Sequence, residues 1–248
     1  AAGGGLVPWA LIAGLETRDQ IGGSAFATHA HTGDFTFKAA GLAVGFGDRF
    51  EVSYARQRFD AGVVIAGLEL GQDIVAMKLR LAGDAVFAPD HPLPQIALGI
   101  LAKKTLDFDF VPRAVGARKG EDLEFYLAAT KLYFAAVGGR NLLLNATLRA
   151  GRGNQFGLLG FGGDRHAGYR LLPEASAALF LGESLLLGAE YRAKPDALGA
   201  FVEQRAWDAF VAWNPHKRVT LTAAWLDLGS IAGKRAQRGA YVSLWLGF

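Results

Sequence analysis

Six stretches of this chain alternate strictly between apolar and mixed residues, and that period of two constrains the fold more than any other feature. Near the C-terminal end Ala240, Val242, Leu244, Leu246 and Phe248 share one strand face, and Gly239, Tyr241, Ser243, Trp245 and Gly247 share the other. The pattern likewise sets Val219, Leu221, Ala223 and Trp225 against Thr220, Thr222, Ala224 and Leu226. It sets Leu185, Leu187, Ala189 and Tyr191 against Leu186, Gly188, Glu190 and Arg192, and Leu142, Leu144, Ala146 and Leu148 against Leu143, Asn145, Thr147 and Arg149. Val75, Met77, Leu79 and Leu81 oppose Ile74, Ala76, Lys78 and Arg80, and Phe50, Val52 and Tyr54 oppose Glu51, Ser53 and Ala55. Side chains leave a strand on alternate faces, so each segment has one apolar face and one mixed face. The mixed faces are rich in Gly, Ala, Ser and Thr, whereas surface strands of soluble proteins carry more Lys and Glu. Small-plus-charged suits a crowded, wet barrel interior better than the solvent side of a soluble sandwich.

Composition narrows this further. Hydrophobic residues make up 51 % of the 248, with 33 Gly, and the mean hydropathy is +0.20. Yet the longest uncharged run, 1–15, has only 15 residues and contains Pro8, short of the roughly 20 that a spanning helix needs. High hydropathy without such a helix is how a transmembrane β-barrel reads, because alternation hides its apolar half. The absence of Cys excludes a disulfide scaffold, a thiolate metal site and a Cys nucleophile. A net charge of +3 is too slight to argue for a nucleic-acid partner. The chain opens on Ala, and "AAGGG" reads either as the end left by signal cleavage or as an arbitrary boundary; neither argues for cytoplasm.

Thirteen candidate strands follow: 6–16, 23–31, 35–46, 49–59, 72–81, 94–104, 123–134, 142–152, 168–181, 184–194, 204–213, 219–226 and 238–248. Counted back from the C-terminus, the connections alternate long and short. "NPHKR" at 214–218 is tight, and "GE" at 182–183 reads as a two-residue II′ turn. The rhythm slips once, at 82–93. Long external loops and short periplasmic turns put the C-terminus in the periplasm. The expected fold is all-β: one closed antiparallel transmembrane barrel over 1–248 with twelve strands, or fourteen as the alternative. Residues 1–22 are then either a segment in the lumen or an additional strand.

The closing strand, ending on Phe248 with an apolar residue at every second position, resembles the terminal signature of proteobacterial outer-membrane proteins. "GGGLVPWALIAG" near the start, "NQFGLLGFGGDR" at 154–165 and "DAFVAWNPHK" at 208–217 resemble an uncharacterised family of proteobacterial outer-membrane proteins of unknown function. The resemblance implies the bacterial outer membrane and a barrel. It implies no activity.

Motifs that could carry chemistry are sparse. His29 and His31 leave one strand face, with Asp34 nearby, as zinc or copper ligands could; the favoured reading is two rim imidazoles facing water. Asp107 and Asp109 have calcium-loop spacing, but Arg113, Arg118 and Lys119 follow closely. No Ser lies two residues from a His, so a hydrolase would need a triad assembled across strands. Gly45 and Gly47 in "GFGD" lack the context of a phosphate loop. Phe156, Leu158, Leu159 and Phe161 make the 154–165 loop too apolar to stand in water, so it must pack on the lumen wall or a partner. No metal and no cofactor is expected.

If the apolar rows face lipid, the inward, pore-lining set is Glu51, Lys78, Arg80, Lys103, Asn145, Arg149, Glu174, Glu190, Arg192, Lys194 and Asp208, with Glu174 beside Arg192 and Glu190. The expected lipid-facing set includes Val75, Leu79, Leu144, Leu187, Leu221, Val242 and Leu244. Phe50, Tyr54, Tyr191, Trp207, Trp213, Trp225 and Phe248 should form aromatic belts near strand ends. The reading is then a passive channel for small polar solutes, with a slight cation surplus favouring anions. The alternatives are a structural barrel with a plugged lumen whose external loops dock another envelope protein, and, third, an outer-membrane enzyme.

Overall fold

A computed structural model describes residues 5–14, 20–62, 64–88 and 91–248. Its first strands are β1 (Ile21–Thr32), β2 (Thr36–Phe46), β3 (Phe50–Asp60), β4 (Glu69–Ala82) and β5 (Gln95–Thr105). A single helical turn, α1 (Val111–Ala114), precedes β6 (Glu121–Val137) and β7 (Arg140–Gly151). Then come β8 (Arg170–Phe180), β9 (Leu185–Arg192), β10 (Ala206–His216), β11 (Val219–Asp227) and β12 (Arg238–Gly247). Each strand pairs antiparallel with its chain neighbours, and β12 returns to β1 to close the barrel. Closure matters physically, because an open sheet edge would leave backbone donors and acceptors unpaired in hydrocarbon.

The strand count is therefore twelve, and fourteen is overturned. The candidate strand over 6–16 is overturned too: residues 5–14 form no strand, and residues 15 and 16 lie outside the described residues. Pro8 has no N–H to give a ladder, and "LVPWALIAG" has no period of two. This segment runs among the inward side chains instead.

The closing seam is held by the last residue. Gly23 N–H donates to Phe248 O (2.6 Å) and Phe248 N–H donates back to Gly23 O (2.9 Å). The Phe248 ring occupies the space a Cβ on Gly23 would need. The same fit recurs inside, where the Tyr126 ring lies on Gly99 and the Phe210 ring on Gly188, so bulky aromatics are laid flat against the wall of a narrow lumen.

The long connections, except the one between β4 and β5, gather at one barrel end, together with the three-residue connection 33–35. Short ones, 47–49, 138–139, 181–184 and 217–218, gather at the other with the start of β1 and the end of β12. The expected two-residue turn at 182–183 is longer. Leu181 N–H bonds Leu185 O, and Gly182 lacks the positive φ a II′ turn requires. The slip in the rhythm has a structural counterpart at 83–88. Asp84 pairs with Arg80 (2.9 Å), and the Lys131 ammonium donates to Asp84 O and Ala88 O. Val86 and Trp9 both pack against the buried cluster of Leu132, Leu143, Ala178, Leu186 and Ala212. This connection folds over the short-turn end rather than leaving it.

Candidate functional site: the barrel interior

Alternation delivers charged side chains from β3 to β9 to the inside, at positions that hydrogen-bonded register brings side by side. On β3 and β4, Glu51 faces Lys78, and the ammonium lies 3.0 Å from the carboxylate. From β5 to β9 a ladder of alternating sign follows. Lys103 pairs with Glu124 (2.7 Å), Glu124 with Arg149 (3.1 Å), Arg149 with Glu174 (2.6 Å), and Glu174 with Arg192 (3.2 Å). Arg149 holds Glu174 through two nitrogens, Nε and Nη2, the forked geometry that makes arginine–carboxylate pairs strong. Lys78, Lys103, Arg149 and the three glutamates Glu51, Glu124 and Glu174 are all buried.

The segment 5–14 is stitched to this wall. Thr147 Oγ1 donates to Pro8 O (2.9 Å), Gln95 Nε2 to Ala10 O (2.8 Å), Lys78 Nζ to Leu11 O (2.5 Å) and Arg192 Nη1 to Leu6 O (3.0 Å). In return Ala10 N–H donates to Thr130 Oγ1, Ala13 N–H to Glu51 Oε2 and Trp9 Nε1 to Glu190 Oε1. A backbone with no strand partner thus finds its hydrogen bonds on side chains.

The long-loop end is covered by 153–163. A tight turn at Asn154–Gly157, with Gln155 and Phe156 in the left-handed region (φ 44° and 64°), presents Phe156 O to Lys103 (3.0 Å) and Gly157 O to Thr105 (2.7 Å). Gln155 receives Lys194 on Oε1, donates Nε2 to Ser230 O, and gives its N–H to the Glu203 carboxylate. Leu158, Leu159 and Phe161 are buried; Leu159 packs with Leu70, Ala117 and Leu198. The apolar loop packs into the mouth of its own barrel. Burial lifts the Glu203 carboxyl to about 7 and lowers the Lys194 amine to about 8, because each charged form loses solvation there.

A cavity of about 520 Å³ remains beside the 5–14 segment. Its charged lining is Glu51, Lys78, Lys103, Arg149 and Arg192 on one side, and Glu190 and Asp208 towards β10. The β10–β12 and β1 wall adds Phe210, Thr222, Tyr241, Ser243, Trp245 and Phe26.

Most sequence-selected residues lie on the face that alternation gave them. Glu51, Lys78, Lys103, Asn145, Arg149, Glu174 and Asp208 are inward and buried; Glu190 and Arg192 line the cavity. Two differ in place. Arg80 lies at the short-turn end with Asp48 and Asp84, and Lys194 follows the end of β9 and joins the loop cover. Register sets Glu174 against Arg192 but Glu190 against Ser176, which donates to it. Val75, Leu79, Leu144, Leu187, Leu221, Val242 and Leu244 are all exposed on the outer surface. So are Tyr54, Tyr191, Trp213, Trp225 and Phe248, with Phe50 and Trp207 partly covered. Trp207 packs edge-on against Trp225 (5.2 Å). Tyr54 departs from the strand-end expectation: it sits in the body of β3, its hydroxyl donating to Asp73.

The sequence reading left out Glu124. Its parity was available, since Leu123, Phe125 and Leu127 alternate outward around it. Glu124 takes up both Lys103 and Arg149; with Arg80 paired at the short-turn end and Lys194 in the loop cover, the expected cation surplus disappears. The remaining candidate motifs are not brought together. His29 and His31 are exposed on the outside of β1, while Asp34 accepts from Gln237 (2.7 Å). Asp107 accepts from Gly71 N–H, and Asp109 pairs with Arg113.

Solved outer-membrane barrels share this fold. Omp33 of Acinetobacter baumannii superposes with a TM-score of 0.53 at 10 % identity, over 92 % of this chain and 98 % of its own. The NanC porin gives 0.53 at 9 % identity, over 91 % and 98 %. Among curated proteins no sequence match is found. The match that spans the chain is to a family model described as protein of unknown function (DUF3034), covering residues 1–245, and the chain belongs to that family.

Proposed function

We propose that this outer-membrane-type barrel is a channel for small polar solutes, narrowed by its own 5–14 segment. Its short turns and C-terminus face the periplasm, and its long loops face outward. The observation that supports this best is the cavity of about 520 Å³, lined by charged side chains and running beside the segment. Porins are among the proteins that share the fold. An anion preference is not part of the proposal, because Glu124 answers two of the bases and Arg80 and Lys194 lie outside the cavity lining, which removes the surplus it rested on. Among the described residues no constellation supports the enzyme reading: the five histidines lie on the outside of β1, in connections or at the exposed end of β10. Inward Ser176 and Ser243 bond Glu190 and Thr28.

The second reading, a closed structural barrel with a partner docked on its long loops, is favoured by the hydrogen-bonded cover at 153–163. Planar-bilayer conductance separates the two. The full chain should open in small steps, and removal of residues 1–14 should enlarge them. Silence from both proteins would support the plugged barrel.

A further inference from the structure

The charges lining the cavity are unevenly answered. Lys78 meets Glu51; Lys103, Arg149 and Arg192 share Glu124 and Glu174. Every base on that wall therefore has a carboxylate. Glu190 and Asp208 stand opposite each other on β9 and β10, and among the described residues neither is ion-paired with a base. Glu190 is held by neutral donors, the Trp9 indole and the Ser176 hydroxyl. Asp208 is only 6 % exposed, lines the cavity, and its Oδ1 has no hydrogen-bond partner. A buried carboxylate oxygen left unsatisfied beside open volume marks a place for a donor that the protein does not supply.

The surroundings specify that donor. Phe210, Tyr241 and Phe156 line the same cavity, and Phe156 already accepts a cation, with the Arg192 guanidinium 4.5 Å from its ring centre. Aromatic faces beside a carboxylate attract an alkylated ammonium group, through the ring quadrupole and through direct charge pairing. Hydrated inorganic ions gain less from such walls. The volume also lies in the range of small-molecule sites.

Resting on the channel reading, we infer that this cavity binds a small organic cation, an ammonium group carrying apolar substituents. Asp208 receives the charge directly, Glu190 stands beside it on the next strand, and the rings enclose the apolar body. The acidic pair thus gives the conduit a selective step for amine-bearing solutes.

The test uses the full chain folded in detergent, with choline as probe and neohexyl alcohol as its uncharged isostere. Trp9 and Trp245 line the cavity, so tryptophan fluorescence reports occupancy. Choline should bind saturably and at least about tenfold more tightly than the alcohol, since one charge pair is worth that much or more. Asp208→Asn should remove the difference. Equal binding of the two probes, no binding of choline, or choline binding unaffected by Asp208→Asn would each overturn the inference. The wild-type comparison needs no variant to fold. Binding in detergent also needs no open pore, so a barrel that binds choline yet stays silent in bilayers would fail the channel reading and not this one.

Discussion

The ladder Lys103–Glu124–Arg149–Glu174–Arg192 makes an unusual ordering of mutational costs. Read by sign it runs plus, minus, plus, minus, plus, and each carboxylate serves two bases. Glu124→Gln leaves Lys103, 4 % exposed, and Arg149, 3 % exposed, sharing one acid fewer, with three bases against Glu174 alone. Lys103 then keeps only the Phe156 carbonyl. Removing one partner of a buried pair costs about 3–5 kcal/mol, because the remaining charge is stranded out of water. Arg149→Met removes the largest side chain and three charge-assisted hydrogen bonds, yet leaves two neutral pairs, Lys103–Glu124 and Glu174–Arg192. Its cost should be smaller, about 1–3 kcal/mol. Adding Lys103→Met to Glu124→Gln should recover about 1–3 kcal/mol, since the stranded amine goes with it. Urea unfolding of the barrel in lipid vesicles, followed by tryptophan fluorescence, measures all three, provided the slope against urea stays constant. If Arg149→Met costs as much as Glu124→Gln, or the second substitution recovers nothing, charge alternation is not what holds this wall.

Leu144→Arg, on the exposed outer face, should destabilise the vesicle-embedded barrel by about 2–4 kcal/mol, and Thr222→Arg, which points into the cavity, by clearly less. Equal costs in the same urea titration would refute the outward assignment. The loop cover should loosen as pH rises: Glu203, raised to about 7 from an ordinary 4.5, contributes stability that is whole below 4.5 and lost through 7. Lys194 titrates above that window, and Asp196 bonds the Glu203 N–H. Proteolysis within 153–163 should therefore quicken between about pH 5 and about pH 8, and Glu203→Gln should flatten the profile.

How far the sequence was legible follows from which interactions are periodic. In a barrel each residue's face depends on its strand parity alone, so Leu144 outward and Arg149 inward could be read from six consecutive residues. Cross-strand partners are nearly as accessible, because a short connection fixes the register across it: the 181–184 turn makes Glu174 meet Arg192. Glu124 followed the same rule and was overlooked, although Leu123 and Phe125 beside it are unmistakably outward.

The interior contents obey no such rule, and that is where the functional question lies. "LVPWALIAG" is as apolar as a strand, but its hydrogen-bond partners, Gln95, Thr130, Thr147 and Glu190, come from four different strands. Gln155 likewise joins Lys194, Glu203 and Ser230 from connections far apart in the chain. Nothing local in those residues announces the meeting; only barrel closure, which brings β1 to β12 and every wall within reach of the axis, creates it. Closure also explains why the carboxylate with an unanswered oxygen on this wall is Asp208. The β3–β9 wall supplies bases and acids in alternation, whereas β10, β11, β12 and β1 turn mainly aromatic, small and hydroxyl-bearing residues inward, such as Phe210, Thr222, Tyr241 and Ser243. Asp208 stands at the join of the two walls, with Glu190 beside it and no base on the next strand. A charge there meets no base in the fold's own periodicity, and among the described residues the segment threaded through the lumen gives Glu190 an indole and leaves Asp208 with the backbone N–H of Glu190.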